Sequence, residues 1–152
     1  MNRISVFYDH IAEAAAQSGL SIGKVLEKCG EYGISAVEIQ YTRLKENRKT
    51  ICKALGKAGL SISYVYDFFD LGSDAPDKEI ERAYDMLKMA SELGAGKVLV
   101  VPGALNMAEA AELAACAGDY DTTAVYMDGN AVIQNMKKSL RQILRKVRQD
   151  NG

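Results

Sequence analysis

Two spacings of apolar residues alternate along this chain. Four short runs are dense in β-branched and aromatic residues: ISVFYD (4–9), ISAVEIQY (34–41), LSISYVYDF (60–68) and KVLVVPG (97–103). Each reads as a strand, and the last, apolar throughout, as one covered on both faces. Between them the apolar residues recur every three or four positions, which predicts amphipathic helices. Ser21 is placed to cap the helix 22–32, with Val25, Leu26, Cys29 and Tyr32 on one side, and Gly33 to end it. The helix 43–58 buries Leu44, Ile51, Leu55 and Ala58 and closes at Gly59. Pro76 is set for the first turn of a helix over 78–93, with Ile80, Ala83, Tyr84, Leu87, Ala90 and Ser91 on one side and Gly94 or Gly96 at its end. HIAEAAAQSGL (10–20) reads as a loop or a short alanine-rich helix.

Residues 104–130 break the rhythm. MAEAAELAACAG (107–118) predicts a short helix, DYDTTAVYMDGN (119–130) a polar loop, and a last helix runs from about Ala131 to Gln149. The closing glycines at 33, 59 and 94 are spaced like successive βα units, not like a solenoid of fixed period. The expected fold class is therefore α/β, alternating βα units on a parallel sheet with right-handed crossovers. A single domain over residues 1–152 is expected, with the irregular segment inserted at about 104–130. Two architectures satisfy this pattern, a small doubly wound open sheet and half of a (β/α)8 barrel.

Composition narrows the function classes. The 152 residues are 48% apolar and 26% charged, with a formal net charge of −1. That is the balance of a soluble globular protein, with no basic footprint for nucleic acid or anionic membrane. The basic run KKSLRQILRKVR (137–148) carries apolar residues at helical spacing and reads as a solvated helix face. Cys29, Cys52 and Cys116 are far apart, odd in number and without CxxC or Cys/His partners, so neither a zinc site nor a disulfide framework is expected. The N-terminus lacks the apolar core of a signal peptide, and no apolar run reaches the ~20 residues that span a bilayer. A reducing cytoplasm is the expected location.

Taken in order, LSIGKVLEKCGEYGISAVEI, ICKALGKAGLSISYV and AYDMLKMASELGAGKVLVVPG resemble the N-terminal half of the sugar phosphate isomerase/epimerase family, the xylose isomerase-like TIM barrels. The resemblance covers nearly all of residues 3–103 and includes a glutamate near the end of the second strand, here Glu38, and a PG at the end of the fourth, here Pro102 and Gly103. It implies the first four units of a TIM barrel. A whole barrel takes roughly 250 residues. Family members carry their divalent metal (Mn, Mg or Zn) on the ends of strands five to eight, and no residue here corresponds to those ligands. The implied function is a sugar or sugar phosphate isomerase or epimerase, present as an N-terminal half that holds no metal and is inactive alone. Its partners would be a small sugar or sugar phosphate, plus a missing C-terminal half or a second copy of the chain. The runner-up is a self-pairing half-barrel that binds a small molecule or serves as a structural module. A free-standing open α/β binding domain is a third possibility.

Functional groups in a parallel α/β sheet gather at the C-terminal strand ends. Here those are Tyr8, Asp9 and His10; Glu38, Gln40 and Tyr41; Tyr66, Asp67 and Asp70; and Pro102, Gly103 and Asn106. Glu38 and His10 are the candidates for proton transfer. Tyr8, Gln40, Tyr66, Asp67 and Asn106 are the candidates for holding hydroxyl groups. Each has a plainer alternative: His10 as a solvated loop residue, Asp67 as an acceptor for turn N–H groups, the tyrosines as strand packing. If Val37 and Ile39 face the helices, Glu38 faces the other way, where a carboxylate must be paired or used. GxGxxG, GxxxxGK[ST] and GxSxG are all absent, which removes glycine-rich nucleotide cradles and the nucleophile elbow. A phosphoacceptor receiver domain fails as well, since the first strand carries no acidic pair and no lysine ends a suitable late strand.

Overall fold

The computed structural model describes residues 4–118 and 120–150. The terminal Asn-Gly at 151–152 lies outside them. Four strands, β1 (Ile4–Phe7), β2 (Ile34–Gln40), β3 (Ser61–Phe68) and β4 (Lys97–Val101), form one parallel sheet in the order β1-β2-β3-β4. Helices alternate with them: α1 (Tyr8–Ser18) and α2 (Ile22–Glu31) after β1, α3 (Tyr41–Ala58) after β2, α4 (Asp77–Glu92) after β3. After β4 come α5 (Met107–Cys116), α6 (Tyr120–Gly129) and α7 (Ala131–Asp150). A doubly wound sheet reverses its strand order at a switch point. This one runs strictly in sequence, which is the winding of a half-barrel.

The described residues pack as two compact units. The first comprises Met1–Asp67 with Met86–Leu99, the second Phe68–Asp85 with Val100–Gly152. In the first unit α1, α2 and α3 pack on β2. They bury Val37, Ile39 and Val65 together with Leu26, Leu44, Ile51 and Leu55. Ser21 caps α2 by accepting from the Lys24 N–H at 3.3 Å. Gly59, at φ +69°, ends α3 in the left-handed conformation that a side chain would disfavour. Its turn lets Leu60 N–H reach back to the Leu55 carbonyl at 3.0 Å.

In the second unit the stretch after β3 is held by α7. Ser139, buried, donates to the Leu71 carbonyl at 3.0 Å, and the Asn135 amide donates to Gly72 O at 3.2 Å. Gly72 has no room for a Cβ, which would meet Val132 at 2.6 Å. Arg82 lies over the Phe69 ring at 4.2 Å, pairs with Glu79 at 2.7 Å and donates to the Phe68 carbonyl.

Several boundaries differ from the sequence pattern. β1 stops at Phe7 and β2 at Gln40, because the chain turns directly into α1 at Tyr8 and α3 at Tyr41. Residues 10–20 are helical for the most part, as α1. Tyr32 is 82% exposed, since it lies just past the end of α2 rather than on its buried stripe. In α4 Met86 is fully buried and Ser91 is exposed. The expected polar loop contains α6 instead. It packs with α5, where Thr123 donates to the Cys116 carbonyl at 2.6 Å and Tyr126 to the Glu109 carbonyl at 2.9 Å. β4 is not covered on both faces: it is an edge strand, and Leu99 is 51% exposed.

Candidate functional site

The alternation of β2 sorts its side chains. Val37 and Ile39 are fully buried against the helices, so Ala36, Glu38 and Gln40 take the opposite face. Across the ladder Phe7 pairs with Glu38, Glu38 with Tyr64, and Gln40 with Tyr66. This puts Ser5, Phe7, Glu38, Gln40, Tyr64 and Tyr66 on one face. β3 absorbs one extra residue, Ser63, at a register shift and so keeps step on either side of it: Ile62 pairs with Val37, and Tyr64 pairs with Glu38. The Ser63 hydroxyl donates to the Val37 carbonyl at 3.0 Å.

Three polar groupings lie on or beside this face, all within the first unit. Ser5 donates to Glu38 Oε1 at 2.6 Å, a short bond of the kind a charged acceptor gives. Asp67, 2% exposed, accepts hydrogen bonds from Gln40 Nε2 at 3.0 Å, Thr42 N at 3.2 Å and Thr42 Oγ1 at 2.7 Å. It therefore satisfies a free N–H in the first turn of α3. That helix has no local side-chain cap, its N-cap position being Gln40 in extended conformation.

The third grouping centres on Asp9. Tyr66 donates to Asp9 Oδ2 at 3.0 Å, and Arg43 Nε stands 2.9 Å from Oδ1. The second contact is an ion pair without hydrogen-bond alignment. Oδ1 is shielded from solvent yet receives no directed hydrogen bond. The Tyr66 phenol is pushed up to about 12, first by burial, then by its bond to Asp9 and that carboxylate's charge, with Arg43 opposing. Burial likewise raises Tyr8, against Arg43 and with a smaller push from Asp9. Phe7 makes T-shaped contacts with His10 and with Tyr66, each at 5.6 Å between ring centroids.

The structure thus brings His10, Glu38, Gln40, Tyr66 and Asp67 to the same end of the first unit. Tyr8 is buried in the first turn of α1. Asn106 belongs to the second unit, where it caps α5: its Oδ1 accepts from Glu109 N at 2.9 Å while Glu109 Oε2 accepts from Asn106 N at 3.0 Å. Sequence reasoning did not single out Arg43, Thr42 or Ser5. Arg43 and Thr42 open α3 straight after the strand, and that position was the available signal.

Two surface grooves of the first unit lie elsewhere. One, of about 440 Å³, runs between α2 and α3 along Lys24, Glu27, Lys53 and Lys57. The other, of about 450 Å³, lies at Gly33, Ile34 and Gly59, beside the N-terminal strand ends. Among the described residues no group of three or more His, Cys, Asp or Glu is arranged to hold a metal ion. Also among them, no helix is long and apolar enough to cross a membrane. The three cysteines are free. No protein-family model matches the chain, and a comparison with curated proteins gives no significant match.

Proposed function

We propose that this chain supplies the first four βα units of a xylose isomerase-like barrel acting on a sugar or sugar phosphate, and that it has no isomerase or epimerase activity by itself. The observation that carries the reading is a sheet wound in sequence whose C-terminal end presents Phe7, His10, Glu38, Gln40 and Tyr66 on or beside one face. Hydroxyl groups of a sugar need such a mixture of acceptors, donors and an aromatic edge. Glu38 keeps one oxygen on Ser5, which fixes the carboxylate, and its other oxygen has no protein partner among the described residues. That oxygen can receive a proton from a carbon next to the substrate carbonyl. His10 stands beside Phe7 as the second proton-transfer candidate.

The divalent metal of the family does not fit the residues present, and no step of this proposal runs through it. Such an ion would need ligands from a second set of units. A reducing cytoplasm suits the free cysteines, and the net charge of −1 suits a small neutral ligand better than a nucleic acid. The test is a calorimetric titration with xylitol, combined with thermal denaturation in Mn²⁺, Mg²⁺ or Zn²⁺. Xylitol binding that weakens at least tenfold in Glu38→Ala, with no thermal shift from any of the metals, is expected. A chain that binds neither pentitol nor pentose phosphate, or a metal-dependent shift of several degrees, would sink the reading.

A second reading, two half-barrels paired as copies, is favoured by the edges of the sheet. β1 and β4 are edge strands, and Ile4 (55%), Phe7 (41%) and Leu99 (51%) on them are exposed. A two-fold pair would cover such surface and bring two copies of Glu38 and His10 into one assembly.

A further inference from the structure

We propose that the groove between α2 and α3 binds the phosphate group of a small phosphate monoester, with Lys24, Lys53 and Lys57 supplying the positive charge. The proposal stands apart from the sugar reading above. Val37 and Ile39 are buried against the helices, so the helix layer that carries this groove lies across the sheet from Glu38.

The sequence of α3 raises the question. Lys49, Lys53 and Lys57 follow one another at four-residue steps, about 6 Å apart along the axis, on the regular part of the helix beyond Asn47. No acidic residue occurs from Arg48 to Ala58 to offset them. Like charges one turn apart repel and weaken a helix. Lys53 and Lys57 line the groove together with Thr50.

The facing helix answers only part of this charge. α2 contributes Glu27, whose carboxylate accepts from Lys24 Nζ at 2.6 Å. That hydrogen bond first, then the Lys24 charge, holds the Glu27 carboxyl below its ordinary value, and Lys57 acts on it only as a more distant charge. Neither Lys53 nor Lys57 forms an ion pair among the described residues. Three ammonium groups against one carboxylate leave two positive charges on the groove. A phosphate monoester carries about −1.5 to −2 at neutral pH and matches them. A carboxylate ligand would leave one charge unmet, and a triphosphate would exceed them and meet Glu27.

The groove also has room and neutral donors. Its volume of about 440 Å³ falls within the roughly 300–1,000 Å³ of small-molecule sites. Gly23 and Ala54 keep it open, and a Cβ at Gly23 would meet nothing nearer than Ser21 Oγ at 3.9 Å. Ser21 Oγ accepts from Lys24 N at 3.3 Å and keeps its own proton to donate. The Thr50 hydroxyl makes no hydrogen bond among the described residues. Both hydroxyls can donate to phosphate oxygens beside the ammonium groups.

The experiment titrates the whole chain with glycerol 3-phosphate in about 0.1 M salt, which screens exposed charges more than about 10 Å apart. Calorimetry gives the affinity, and backbone amide NMR locates the site. Saturable binding is expected, with shifts clustered at residues 21–27 and 50–57 and none from glycerol. Lys53→Gln combined with Lys57→Gln should weaken binding at least tenfold. Lys78→Gln combined with Lys138→Gln removes the same charge outside the groove and should weaken it less than twofold. Equal weakening by the two double variants, or shifts spread over all the surface lysines, would reduce the groove to general attraction and overturn the proposal. Shifts confined to residues 38–42 and 64–67 would put the phosphate at the polar sheet face and overturn it while leaving the sugar reading in place. Absence of saturable binding overturns it as well. The NMR arm needs no variant, so it decides even where a double variant fails to fold.

Discussion

Tyr66 holds its proton far into alkaline solution because burial and the Asp9 carboxylate both oppose the phenolate. The unfolded chain would release that proton near 10, the folded chain only near 12. The folded state therefore keeps its full advantage below about pH 10 and loses it as the pH rises through about 12. Of the eight tyrosines, Tyr66 should ionise among the last in a spectrophotometric titration of the native protein. Tyr66→Phe should remove that late step, and a titration curve identical in the two proteins would contradict the Asp9 contact. At this scale the sequence told half of the story. Aspartate and tyrosine at strand ends were visible as polar rim residues, and for Asp67 a hydroxyl-binding role stood beside acceptance from turn N–H groups. What it could not show was which group each would meet. Asp67 serves Thr42, 25 positions earlier in the chain, and Asp9 serves Tyr66, 57 positions later.

Elements were legible wherever the signal was local. Ser21 before α2 and glycines 33, 59 and 94 after their helices mark boundaries through the backbone conformations they allow. The starts of α1 and α3 were not legible, because neither has a side-chain cap of its own and α3 takes its acceptor from β3. α6 was hidden for a similar reason. Its aspartates, threonines and glycine favour a loop, but its hydrogen bonds to α5 come from the tertiary pairing. Helix packing gives a sharper test. A Cβ on Gly30 would lie 2.9 Å from the Ala58 carbonyl oxygen at the end of α3, whereas one on Gly56 would meet nothing within 4 Å. Gly56→Ala should therefore stabilise the protein by about 1 kcal/mol through helix propensity. Gly30→Ala should destabilise it by about 1–2 kcal/mol despite the same propensity gain. Urea denaturation of both variants checks the opposite signs, at unchanged slope. If both gain stability, α2 does not approach α3 this closely.

For the whole molecule the governing feature is a sheet with two edges. Barrels abolish edges by closing, and four strands wound in sequence leave β1 and β4 open. The chain should therefore self-associate, with a mass by light scattering above 16.5 kDa that rises with concentration. Replacing Phe7 and Leu99 together by lysine should lower that mass towards the monomer. A monomer at every concentration would count against the paired half-barrel, and a sharp dimer resistant to dilution would favour it. The sequential winding itself was foreshadowed by the order of helices, glycines and strands. Periodicity alone left a doubly wound sheet open beside the half-barrel, since it fixes which residues share a face but not which strands are neighbours; the order β1-β2-β3-β4 is the one the family resemblance implied.

Ser63 carries a consequence beyond its own hydrogen bond. It is taken out of the alternation at the register shift, so the later side chains of β3 point as though it were absent. Upstream of it Ile62 is in step with Val37, downstream Tyr66 is in step with Gln40, and a strand drawn straight through all eight residues would put Tyr66 under the helices and Asp67 on the open face. The site is thus tolerant to losing one residue at this position, because a chain without Ser63 arrives at Tyr64 already in phase. The loss of a neighbouring residue further along, between Tyr64 and Tyr66, has no such compensation and would exchange the two faces of the strand's end. Length variation among descendants of this sequence would then be confined to one point of β3, with the chemistry beyond it preserved as a block.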